Sequence, residues 1–179
     1  MAAGGIRQER LDLELPVILS LGSNLGDREA TIRDAVAAIA AIDGVRVVAA
    51  SGLVETPALK PHGVDDDAPA YLNAAVSLRT RLTPDQLLDA VAGIERDHGR
   101  VRDERWGDRT LDVDIIAWGG LRVDSDRLTI PHPRAAGRAF VLEPWLQVQP
   151  NAQLDGVPVS ELLAATGDTV THFPAEPLL

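Results

Sequence analysis

Two stretches of this chain repeat apolar residues at helical spacing, and each is flanked by short runs that read as strands, so the fold must seat two helices against a sheet. The first stripe is Ile32, Ala35, Val36, Ile39 and Ile42, with Asp27 as N-cap and Gly44 closing the helix. The second is Leu87, Leu88, Val91 and Ile94, behind a Thr83 cap with Pro84 at the first helical position. Glu95 and His98 ride three apart at its far end. Val17 to Leu21 reads as a strand entering the turn 22–27, Val45 to Val54 is β-rich, and Tyr71 to Leu78 is a further strand. Leu111 to Ile115 alternates as a half-buried strand does, and Gly119-Gly120 then suggests a hairpin returning through Leu121 to Ile130. The order β-α-β-β-α-β predicts an α+β fold: a ferredoxin-like βαββαβ core, an antiparallel sheet with helices packed on it, and an extra C-terminal segment. Residues 1–15 carry no period and are expected to be a loose tail, leaving 16–179 as a single domain.

An apolar fraction of 45% is ordinary for a globular chain and is enough to build a core. With no cysteine, disulfides, thiolate catalysis and Cys-based zinc sites are excluded, and a cytoplasmic location is expected. No stretch approaches the ~18 apolar residues of a membrane span, and no signal-peptide apolar segment is seen at the N-terminus, so no membrane partner is expected. The net charge of -10 argues against a nucleic-acid binder, which usually presents a basic surface.

Within Leu111 to Ile115 two carboxylates, Asp112 and Asp114, share one strand face, their backbones about 6 to 7 Å apart. Such a pair either faces solvent as ordinary polar alternation or is held together by a cation, because two unpaired carboxylates leaving water are costly. Immediately upstream, residues 100–109 hold four arginines and Trp106 in an otherwise acidic chain. Guanidinium forks match phosphate oxygens, so a basic loop beside an acid pair suggests a polyphosphate held with Mg²⁺. The alternative is local pairing of those arginines with Asp103, Glu104 and Asp108. The turn at 22–27 is neither a Walker loop nor a G-x-G-x-x-G fingerprint, so a nucleotide would be held by side chains. The segment 55–70, with Lys60, His62 and the acids 65–67, reads as a long loop of the kind that often serves function.

Together, "LGSNLGD" at 21–27, "YLNAAV" at 71–76, "RWGDRTLDVDI" at 105–115 and "IPHPR" at 130–134 closely resemble the 6-hydroxymethyl-7,8-dihydropterin pyrophosphokinase family of folate biosynthesis. The resemblance runs from about Val17 to Pro150. It implies ATP as co-substrate, two Mg²⁺ ions, a pterin acceptor and release of AMP. By the same resemblance Asp112 and Asp114 are the metal ligands, and Arg100 and Arg109 join them as catalytic residues. It places Glu95, Arg102, Arg105, Trp106, Arg109, Arg127, Thr129, His132 and Arg138 around ATP. Thr56, Pro57, Leu59, Tyr71, Asn73, Trp106 and Phe140 fall around the pterin. A flat heterocycle wants stacking faces and edge hydrogen bonds, which Phe140 and the Asn73 amide supply. The competing readings are Glu95 as a solvated helix residue, Phe140 as plain core, and His132 as a surface residue after a turn.

Some positions depart from the family pattern: Pro133 and Ala92 stand where some relatives have a tyrosine and a glutamine near the nucleotide, and the arginine loop is slightly short. The rival readings are another Mg-dependent transferase using Asp-x-Asp, of nucleotidyl or glycosyl type, and a non-enzymatic ferredoxin-like binding domain. A monomer is the expected state.

Overall fold

The computed structural model describes residues 10–60, 62–99 and 110–179, the side chains of Leu59 and Lys60 apart. The chain runs β1 (Leu15–Ser23), α1 (Arg28–Ala40), β2 (Val45–Ala50), β3 (Leu53–Thr56), β4 (Ala58–Lys60), β5 (Gly63–Asp65), β6 (Tyr71–Thr80) and α2 (Pro84–Asp97). It continues through β7 (Asp112–Trp118), β8 (Val123–Asp124), β9 (Thr129–Ile130), a 3-10 turn (Ala135–Gly137), α3 (Ala139–Val148), β10 (Gln153–Leu154), β11 (Val157–Pro158), α4 (Val159–Thr166) and β12 (Thr171–Phe173). The main sheet has the order β12-β3-β6-β1-β7, with β2 also paired to β6, and its pairings are antiparallel.

Strand alternation divides the core in two. Val17, Leu19 and Leu21 of β1 face one side with Leu72, Val76 and Leu78 of β6, where α1 adds Ile32, Val36 and Ile39 and α2 adds Leu87, Val91 and Ile94. On the other side Ile18 and Ile116 meet Val141, Leu142 and Trp145 of α3 and Val159 of α4. Each fully buried Leu or Ile contributes roughly 1.5–3 kcal/mol relative to exposure, so the two apolar layers hold the helices on both faces of the sheet.

Both helix starts follow their sequence signals. The Asp27 carboxylate accepts the Ala30 N–H, and Thr83 with Gln86 forms a reciprocal capping box ahead of Pro84. α1 ends earlier than expected, at Ala40, and Gly44 with φ 86° belongs instead to the turn entering β2. The β-rich run 45–54 is two strands, broken where the Ser51 hydroxyl accepts the Ala75 N–H and displaces a ladder bond.

Three expectations are revised. The segment 55–70 is not a plain loop, since β4 and β5 pair within it as a small hairpin. The strand after Gly119-Gly120 does not form a hairpin ladder with β7; β8 pairs with β9 as a separate ribbon. Both glycines have positive φ, 36° and 82°, and turn the chain away from the sheet edge. Residues 10–15 are docked: the Leu11 N–H donates to Arg81 O, Arg10 pairs with Asp43, and Glu14 pairs with Arg46 and Arg79. The C-terminal segment holds the helices α3 and α4, the short pair β10 and β11, and β12, and no helix among the described residues is long and apolar enough to cross a membrane.

Candidate active site

Across the sheet the register sets Val54 of β3 opposite Asn73 of β6, Asn73 opposite Gly22 of β1, and Gly22 opposite Asp112 of β7. Directly opposed residues share a face, so Asn73, Gly22 and Asp112 form one row, with Ser20 opposite Asp114 and Ala75 beside them. Two interstrand steps separate Asn73 from Asp112 at the backbone, about 9.5 Å. Between them stands a residue with no side chain, and a Cβ built on Gly22 would lie 2.9 Å from Asn73 Oδ1 and 3.6 Å from a Tyr71 ring carbon. The Asn73 amide therefore lies over Gly22.

Thr56 sits opposite Tyr71, and its hydroxyl accepts a hydrogen bond from Asn73 Nδ2 at 3.2 Å. Thr56, Tyr71 and Asn73 thus form one polar and aromatic group, with Pro57 following at the end of β3. Asn73 is only 4% exposed, so its remaining hydrogen-bonding capacity is kept from bulk water. α3 packs on β6 and β3 over this same face, and at its start the guanidinium of the N-cap residue Arg138 lies 5.5 Å from the Phe140 ring centroid. Leu59 lies in β4, but its side chain falls outside the described residues.

Asp112 and Asp114 are half-buried on one face of β7, alternating with buried Val113 and Ile115. Among the described residues no group of three or more His, Asp and Glu side chains is arranged around a metal. Two carboxylates with oxygen-only donation suit a hard divalent cation that takes its other ligands from water and phosphate, as Mg²⁺ does. The donor set fits.

His132 is tied to the acid strand by its backbone N–H, which donates to Ile116 O at 2.9 Å. The Arg134 N–H donates to His132 Nδ1, which in the neutral ring leaves the proton on Nε2. Burial holds the His132 pKa below its usual value, with Arg138 and Arg134 pushing the same way and Asp112 pulling it back up. Thr129 and His132 border a cavity of about 430 Å³ with Arg122, Asp124 and Asp155. Arg127 is paired with Asp89 and Asp85 on α2, a partnership the sequence did not reveal. Glu95 is not a solvated helix residue: it is 3% exposed, and its Oε1 accepts the Val113 N–H at 2.8 Å. Arg100, Arg102, Arg105, Trp106 and Arg109 lie outside the described residues.

A family model described as 7,8-dihydro-6-hydroxymethylpterin-pyrophosphokinase (HPPK) matches residues 18–150. The chain belongs to the HPPK family. Among its relatives, a 2-amino-4-hydroxy-6-hydroxymethyldihydropteridine pyrophosphokinase of Methylorubrum extorquens is 45% identical over 146 residues, 82% of this chain and 90% of that protein. One of the same name from Pseudomonas aeruginosa is 43% identical over 150 residues, 83% of this chain and 90% of that one. Among solved structures, the wild-type Plasmodium falciparum HPPK-DHPS with pteroate aligns with a TM-score of 0.66 at 14% identity, over 89% of this chain. The chain spans 43% of that longer polypeptide, and the likeness is one of fold. The HPPK match at residues 18–150 takes in the row of Asn73, Gly22 and Asp112 as well as His132 and Phe140.

Two features of this HPPK-family site were missed in the sequence, the gap at Gly22 and the burial of Glu95. The second had a signal: Glu95 lies four residues after Val91 and eight after Leu87, so it falls on the apolar stripe of α2.

Proposed function

We propose that this protein transfers the diphosphoryl group of ATP to the hydroxymethyl oxygen of 6-hydroxymethyl-7,8-dihydropterin, releasing AMP. The observation that carries the reading is the sheet row that puts the Thr56, Tyr71 and Asn73 group on one side of Gly22 and the Asp112 and Asp114 pair on the other. One side offers edge hydrogen bonds and an aromatic face to a flat heterocycle, and the other offers carboxylates on the strand to which His132 is bonded. In the reaction the acceptor oxygen bonds to the β-phosphorus while the bond from that phosphorus to the AMP oxygen breaks, and the hydroxymethyl proton is lost. Two Mg²⁺ ions held by Asp112 and Asp114 would neutralise charge on the triphosphate.

The chain's own groups bind and orient. Asn73 and Thr56 fix the pterin edge, while Tyr71 and Phe140 supply its apolar walls with Pro57, Leu59 and Trp106. His132, neutral and protonated on Nε2, donates to a phosphate oxygen, with Arg138, Thr129 and Arg127 nearby on the ATP side. Arg100 and Arg109 hold the reacting phosphates, and Arg102 and Arg105 the remainder of ATP. Residues 16–179, together with the docked 10–15, act as one domain built on a ferredoxin-like core, a reading supported by the strand order β3-β6-β1-β7 with helices between β1 and β2 and between β6 and β7. The proposed enzyme acts in the cytoplasm as a monomer.

The test is AMP release from ATP and Mg²⁺ with and without the pterin. AMP formed only with the pterin is expected, and Asp112→Asn should lower the rate on the order of 100-fold or more. AMP release that ignores the pterin would favour the rival transferase reading.

A further inference from the structure

We infer that Glu95 is a positioning residue for the metal-binding strand, acting through the backbone between its two carboxylates; this rests on the proposed metal role of Asp112 and Asp114. β7 is the last strand in the sheet's order, and the amide of Val113 goes to α2 instead of to β1. That amide belongs to the peptide joining Asp112 to Val113. Holding it restrains the backbone torsions on both sides, and so the directions in which Asp112 and Asp114 project from their shared face. The holding group is a carboxylate on the last turn of α2, 3% exposed and 2.8 Å from the nitrogen it accepts from. Burying an acid on the apolar stripe of a helix is unfavourable unless its hydrogen bonds compensate. The apolar stripe of α2 is interrupted by an acid at the residue whose side chain reaches the acid-bearing strand.

The arrangement has the logic of an outer shell around a metal, where partners of the ligands set their geometry. The unusual element is that the contact is made to the main chain, so one acceptor orients two ligands at once. The side chain of Val113 is itself buried against α2, which leaves the strand pinned by packing below and by the Glu95 bond at its edge.

Glu95→Gln keeps an acceptor at Oε1, whereas Glu95→Leu removes it at similar volume. Hydrogen exchange at the Val113 amide is read on the ligand-free protein, Mn²⁺ affinity with a non-hydrolysable ATP analogue, and pterin KM in turnover. In Glu95→Leu, Val113 exchange should accelerate, Mn²⁺ affinity should drop on the order of 10- to 100-fold, and pterin KM should stay within about twofold. Glu95→Gln should match the wild type in all three. If Glu95→Leu does not fold, Glu95→Asp, one methylene too short to reach Val113, takes its place with the same expectations. Unchanged Mn²⁺ affinity in the acceptor-less variant, equal losses for metal and pterin, or a Glu95→Gln variant as impaired as Glu95→Leu would overturn the inference. A wild type that binds Mn²⁺ with the analogue yet makes no pterin-dependent AMP would sink the proposed reaction and leave this inference standing.

Discussion

Gly22 is where a single residue decides whether the two halves of the site can coexist. Its φ is not in the left-handed region, so the backbone would accept another residue; the Asn73 amide above it would not. Gly22→Ala should force Asn73 off its contact with Thr56, at roughly 1–3 kcal/mol of stability. Pterin KM should rise several-fold with ATP KM unchanged, and an equal effect on both substrates would argue for general loosening. His132 gives a second test. The unfolded chain takes up this proton near 6.5 and the folded chain only at lower pH, so between those values the unfolded state binds more protons. Stability from this residue is therefore full above about 6.5 and falls as pH drops below it. Urea midpoints measured from about pH 8 down to about pH 5 should show a shallower loss in His132→Gln than in the wild type; parallel curves would remove His132 from the account.

At the scale of elements, legibility followed the strength of local signals. α2 could be read in full because its capping box, first-turn proline and apolar stripe agree. α3 was hidden: it has no side-chain N-cap, carries Pro144 inside, and is apolar on more than one side, so no period stands out. β4 and β5 are three residues each, too short for alternation to show. What fixes their segment is a contact distant in sequence, because Arg28 Nη1 donates to Glu55 Oε2 at 2.7 Å and to Ala70 O at 2.8 Å. These partners lie at the two ends of the 55–70 segment, whose first residues include Thr56 and Pro57. The pair is partly exposed, so Arg28→Met should cost only about 1 kcal/mol or less in stability. Its larger effect should be on pterin KM, raised with ATP KM unchanged, along with faster hydrogen exchange in 63–68. Exchange in that segment indistinguishable from wild type would show that the hairpin holds itself.

At the scale of the whole molecule, the motifs marked the family, but the spatial order of the candidate residues depended on register, which no local pattern encodes. Asn73 and Asp112 lie in one row because β1 pairs with β6 and β7 from opposite sides, and Asn73 meets Gly22 from 51 positions along the chain, a separation that periodicity cannot bridge. The same holds for the C-terminal segment, which is part of the sheet and not an appendage. β12 pairs with β3, the Phe173 ring lies 5.8 Å from the Arg28 guanidinium carbon, and Leu178 is buried in the larger core. Arg33 holds the segment down by donating to Pro177 O and Glu176 O. Removing residues 171–179 would therefore expose the outer edge of β3, the strand that ends at Thr56, and would leave a gap where Leu178 packs. The lost Leu burial alone is worth about 1.5–3 kcal/mol, which at ~2–4 °C per kcal/mol for a chain of this size lowers Tm by roughly 3–12 °C. Leu178→Ala should reproduce much of that loss while leaving β12 paired, and so should spare pterin KM. The deletion should raise pterin KM as well, because only it frees β3. If the point variant and the deletion shift pterin KM equally, the C-terminal segment supports the pterin side through the core and not through the sheet edge.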